Sequence, residues 1–172
     1  MGELIVFGAT AALMVLCSVM VVVGKNPVAS AMFLVGQLFL LACIYALLGA
    51  HFVAAIQILV YAGAIMVLFI FVIMLLNLKP EALGGASFAA GEVGVLGLMI
   101  LGFLVIGGKI ATGYSSGVNG TSSLENIELA GGNTFVVGME LFTRYLWPFE
   151  LASILILMAI VASIVIARKK VA

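Results

Sequence analysis

Seven glutamates, one histidine and two cysteines are all that this 172-residue chain offers for proton exchange near neutral pH or for holding a metal. Conducting protons or ions through a bilayer calls for ionisable groups within the spanning segments, where they are expensive and rarely found without a function. Only Glu92 and Glu150 approach that condition, each within the first turns of an apolar stretch. Both are candidates for a water path or an interface. An interfacial carboxylate that reaches water explains either of them without such a role. His51 stands alone between two apolar runs and reads as a solvated turn residue. Cys17 and Cys43 lie inside apolar runs, far from the spacing of a disulfide or metal site, and read as free, buried thiols that pack like small hydrophobes. No haem-ligand pair, nucleotide fingerprint or metal spacing occurs, so neither a catalytic residue nor a metal site is expected. Alone, such a chain is a poor proton conductor.

Hydrogen bonding inside lipid is the other chemistry on offer. Ala50, Ala54, Gln57, Tyr61 and Ala64 fall within an arc of roughly 80° if each residue turns the helix by about 100°. An unpaired amide or phenol in hydrocarbon costs several kcal/mol, so this face is expected to meet protein. Gly63, two places after Tyr61, marks either a close helix contact or a deformable turn. The residues by themselves favour the contact, with Gln57 and Tyr61 as polar glue. Phe69 and Phe71 beyond it read as lipid-facing or packing residues.

The elements that must position these groups follow from composition. Hydrophobic residues make up 66% of the chain and charged residues 8%, with mean hydropathy +1.41 and zero net charge. A soluble domain cannot cover that much apolar surface with so few charges. The chain is therefore read as an integral membrane protein, with no basic patch for nucleic acid. Glu3 stands where a signal peptide carries positive charge, so the first apolar run is read as a retained span.

A hydrocarbon core of about 30 Å takes about 20 helical residues. On that measure the fold class is all-α: a polytopic membrane protein of one domain, 1–172, with five transmembrane helices near 4–23, 27–48, 52–78, 88–110 and 143–168. Asn26 is placed to cap the second helix and Pro27 to occupy its first position. The fourth span is rich in glycine. Phe142, Tyr145, Trp147 and Phe149 crowd one end of the fifth, as an interfacial aromatic belt does; Pro148 either begins that helix or kinks it. Lys25, Lys79 and Arg168-Lys169-Lys170 fall on one side of the membrane, against Lys109 and Arg144 on the other. By the positive-inside rule the N-terminus is outside (periplasmic), the C-terminus is cytoplasmic, and 111–138 is an external loop.

Two stretches carry a family resemblance. QILVYAGAIMVLFIFVIML (57–75) resembles the third span of subunit J of NADH–quinone oxidoreductase, respiratory complex I, whose mitochondrial counterpart is chain 6. LFTRYLWPFELAS (141–153) is similar to the start of that family's last span, and the five-span layout and the Arg-Lys-Lys ending fit as well. The resemblance implies a non-catalytic membrane-arm subunit that helps couple quinone reduction to proton translocation. Its partners would be the quinone-module membrane subunit, the neighbouring small subunits and lipid. NADH, FMN, iron–sulfur clusters and quinone would sit in or near other subunits, with none in this chain. The membrane implied is the cytoplasmic (inner) membrane of a bacterium rather than that of a mitochondrion. In that family the third span carries a π-bulge that can relax to α-helix. Carried onto this sequence, it falls between about Tyr61 and Val67, with Gln57, Tyr61, Gly63 and Val67 as the coupling residues. Alternatives left open are the equivalent subunit of a membrane hydrogenase, chloroplast-type dehydrogenase or cation antiporter complex, and a stand-alone small transporter.

Overall fold

The computed structural model describes residues 2–76, 102, 105 and 124–168, and all secondary structure among them is helical. Of the expected fourth span, only Gly102 and Val105 are among the described residues, both helical. Glu92 lies outside them, as do Lys79, Lys109, Lys169 and Lys170. The chain divides into two compact units, Met1–Gly120 and Thr121–Ala172.

In the first unit, α1 (Gly2–Val23) leads into α2 (Pro27–Leu47). The Asn26 side chain accepts from the N–H groups of Val28 and Ala29, at 3.0 and 3.4 Å, with Pro27 at the first helical position, as the sequence predicts. The connection is tight: a β-carbon on Gly24 would collide with Ser30 Oγ and stand 2.8 Å from the Met20 carbonyl. After α2 the chain turns on Gly49, at φ +74°. There the Gly49 N–H bonds to the Ala46 carbonyl at 3.1 Å and the Ala50 N–H to that of Tyr45 at 2.9 Å, which is a Schellman cap. A left-handed φ at that position suits glycine, which has no β-carbon to clash.

The third long helix then runs from His51 to Leu76 as three consecutive pieces: α3 (His51–Ile56), a π-helix (Gln57–Ile65) and α4 (Met66–Leu76). Its 26 residues span at most about 39 Å at the α-helical rise, more than the hydrocarbon thickness. Helix α2 packs against α1 on one side and against all three pieces of the third helix on the other.

What is buried here inverts the soluble pattern. Among the described residues the buried apolar ones are Ala31, Ala42, Ala54, Ala62 and Met66, while many Leu, Ile, Val and Phe side chains are exposed and those of α2 are mostly half-buried. Lipid is as apolar as leucine, so large side chains gain nothing by hiding from it, and small residues go where backbones approach. Cys17 is half-buried and Cys43 exposed, both free, which corrects the expectation that both are buried. In lipid a thiol has no reason to withdraw from the helix surface.

The second unit holds α5 (Leu124–Leu129), α6 (Asn133–Thr143) and α7 (Leu146–Ala167). The stretch read as the loop 111–138 thus carries a helical turn and the start of a second helix. Helix α7 begins at Leu146, so Pro148 sits in its first turn, where a missing N–H costs no intrahelical bond. It stands at the start of the helix, one of the two places the sequence reading allowed. Phe142 and Phe149 meet edge to face at 5.0 Å, and the Arg144 guanidinium lies 5.9 Å from the Tyr145 ring. Four helices among the described residues are long and apolar enough to cross a membrane: α1, α2, the third helix as a whole and α7.

Candidate functional site: the π-helical turn of the third helix

The site is built on backbone. At its start the Gln57 N–H is shared between the Ala54 and Val53 carbonyls, an α-type pattern. At its end the Met66 N–H reaches the carbonyls of Gly63 and Tyr61, the latter five residues back, and steps over that of Ala62. The bond to the fifth residue is the mark of a π-helix, a form that is rare and concentrated at functional sites. Gly63 fits this geometry by what it lacks. A β-carbon there would stand 3.1 Å from the Ile58 carbonyl oxygen, again five residues back. Glycine leaves that approach free.

The wide turn changes which side chains face inward. Ala54, Gln57, Ala62 and Met66 are buried, at 8, 6, 4 and 5% exposure, so the buried line steps by three, then five, then four residues. The five-residue step falls inside the π segment. A uniform α-helix carries the line from Gln57 to Tyr61 and Ala64, the face read from the sequence. The structure splits that face: Ala54 and Gln57 are buried, whereas Tyr61 is 50% exposed and Ala64 is also exposed. Ala62 and Met66, which the sequence reading did not place on that face, take their places. No pattern in side-chain type announces them, because Ala62 is as small as Ala64 and Met66 as apolar as its neighbours.

The other candidates lie as follows. The π segment begins and ends earlier than the 61–67 window, so Val67 belongs to α4, where it is exposed. Gly63 is partly buried. Glu150 lies in the second turn of α7, exposed, and its carbonyl accepts from the Ser153 hydroxyl at 2.7 Å. The structure brings Gln57, Tyr61 and Gly63 together in the π-helix.

Fold and site define a class: a polytopic, all-helical membrane protein with a π-helix inside a spanning segment. Residues 17–166 match the family model of NADH-ubiquinone/plastoquinone oxidoreductase chain 6, and the chain belongs to that family. It is 42% identical to NAD(P)H-quinone oxidoreductase subunit 6 of the Paulinella chromatophora chromatophore, over 97% of this chain and 78% of that one. It is 34% identical to NADH-quinone oxidoreductase subunit J of Rhodobacter capsulatus, over 90% and 76% of the two chains. With F(420)H(2) dehydrogenase subunit J of Methanosarcina mazei it shares 33% identity over 96% and 91%.

Proposed function

We propose that this chain is a membrane-arm subunit of a proton-translocating quinone oxidoreductase of the complex I type, and that its π-helix is a deformable element coupling quinone chemistry to proton movement. The observation that carries the reading is the nine-residue π-helix, Gln57–Ile65, inside a spanning helix of a chain 6 family member. Removing the extra residue of a π-turn rotates one side of the helix against the other by roughly 100°. Tyr61 and Ala64 then replace Ala62 on the line that continues from Gln57, and α4 turns with them. The same sequence thus serves two packing faces, one for each backbone form. Such an element gates a neighbouring water path without carrying protons itself, provided quinone reduction favours one form over the other.

The further parts of the proposal are five spans, a periplasmic N-terminus, a cytoplasmic C-terminus and a bacterial inner membrane. The partners are the quinone-module membrane subunit and adjacent small subunits. NADH, FMN, iron–sulfur clusters and quinone belong to or near those other chains. This chain's donor set supports that division: its two cysteines, on separate helices, fall short of the four that hold a cluster. Glu150 and Glu92 remain interface or water-path candidates.

Likeness to an F(420)H(2) dehydrogenase subunit supports a second version, the same membrane role with a different electron donor. The subunits that co-purify in mild detergent separate the two. The coupling role is tested by Gly63→Val, whose branched side chain crowds the Ile58 carbonyl. In the assembled complex this variant is expected to lose at least half of its quinone-linked proton pumping. Electron transfer from the donor to an artificial acceptor should stay intact. Unchanged pumping in a fully assembled complex rejects the gating role.

A further inference from the structure

Among the described residues Gln57 is the one buried polar side chain, and its Nε2 has no hydrogen-bond partner there. From this we propose that Gln57 holds an ordered internal water inside the membrane, over the junction between α3 and the π-helix. The inference rests on burial and hydrogen bonding, and does not depend on the coupling role.

A buried amide is rarely left unpaired in a native protein. The question is which acceptor fits. Nε2 is sealed off within this one chain, so neither lipid nor a neighbouring subunit reaches it without prising the helices apart. Thr10 donates to the Val6 carbonyl, Ser18 to that of Met14 and Ser30 to that of Gly24, and none of these hydroxyls, nor Gln37 or Tyr45 of α2, bonds to Nε2.

A water molecule is small enough to enter such a place, and it needs two to four polar partners. The junction supplies them. Side chains on a helix lean toward its N-terminus, which carries the Gln57 amide back over the turn holding Val53 and Ala54. Both carbonyls accept from the Gln57 N–H, and a carbonyl oxygen has two lone pairs, so a second donor such as water can be taken. The water's oxygen accepts from Nε2. Because water both donates and accepts, the assignment holds with either orientation of the amide.

The test is a cryo-electron microscopy map of the assembled complex containing this chain, at a resolution that shows ordered water, for the natural protein and for Gln57→Met. The expected result is a water peak within about 3.2 Å of the Gln57 amide nitrogen, lost in the variant. A protein group bonded to that nitrogen, or no peak at all, overturns the proposal. So does a peak that persists in Gln57→Met, since the backbone alone then holds it. If the Met variant does not assemble, Gln57→Asn, one methylene shorter, is read instead, and an undisplaced water there counts against the assignment.

Discussion

Tyr61 and Gln57 are separated by one α-helical turn in the sequence, yet only Gln57 faces the interior of the chain. With the π-helix in place, the Tyr61 ring stands on the outer surface, where its hydroxyl is offered to whatever lies beside the third helix. In the α-form proposed above, Tyr61 would enter the packed line. Tyr61→Phe keeps the ring and removes the hydroxyl, so the complex is expected to assemble at its normal level while turnover falls several-fold. Blue-native gels with quinone-reductase assays read both quantities, and loss of assembly would instead make the tyrosine a structural fastener. The small-residue chemistry around it was legible from the start. Gly63 stood out for its neighbours, although what it accommodates, the Ile58 carbonyl at 3.1 Å, was not.

At the scale of the element, the third helix shows why an apolar segment is hard to orient from sequence. Between Ala54 and Leu76 only Gln57 and Tyr61 are clearly polar, so a rotation that moves Ala62 inward and Ala64 outward changes no charge and little volume. The helix ends were easier. Asn26-Pro27 and Gly49 carry caps whose chemistry is local, and the structure places α2 between them. Ala62 supplies the check on the packed line. Ala62→Leu adds bulk where the π-helix meets the rest of the first unit, and overpacking of this kind costs about 1–3 kcal/mol. The expected outcome is a lower melting temperature of the purified complex, with Ala64→Leu near neutral. Equal effects at the two positions would mean that the buried line follows the α-helical face.

For the whole molecule, the burial pattern ties composition to environment. Small residues between helices and large apolar ones outside make a stable arrangement only where the surroundings are as apolar as the side chains. Membership of the chain 6 family and four span-length helices agree with that reading. The proposed orientation yields a direct check. A phosphatase reporter fused after Gly120 is expected to be active outside the cell, and a fluorescent protein fused after Ala172 to fluoresce inside. The opposite pattern rejects the combination of a periplasmic N-terminus with five spans, and both reporters on one side reject a crossing by α7.

By itself the sequence determined the membrane class, the all-helical fold, the ends of the first three long helices to within two residues, and the family. Each of these follows from local or averaged properties: apolar run length, capping residues, and two motifs in 57–75 and 141–153. Only the tertiary structure decided which residues of the third helix face inward and where the π segment begins. The physical reason is that a π-turn is a choice of backbone register. Its consequence is a five-residue step from Gln57 to Ala62 that appears only once the helix is packed against α2. Side-chain types along an almost uniformly apolar segment record no preference between the two registers.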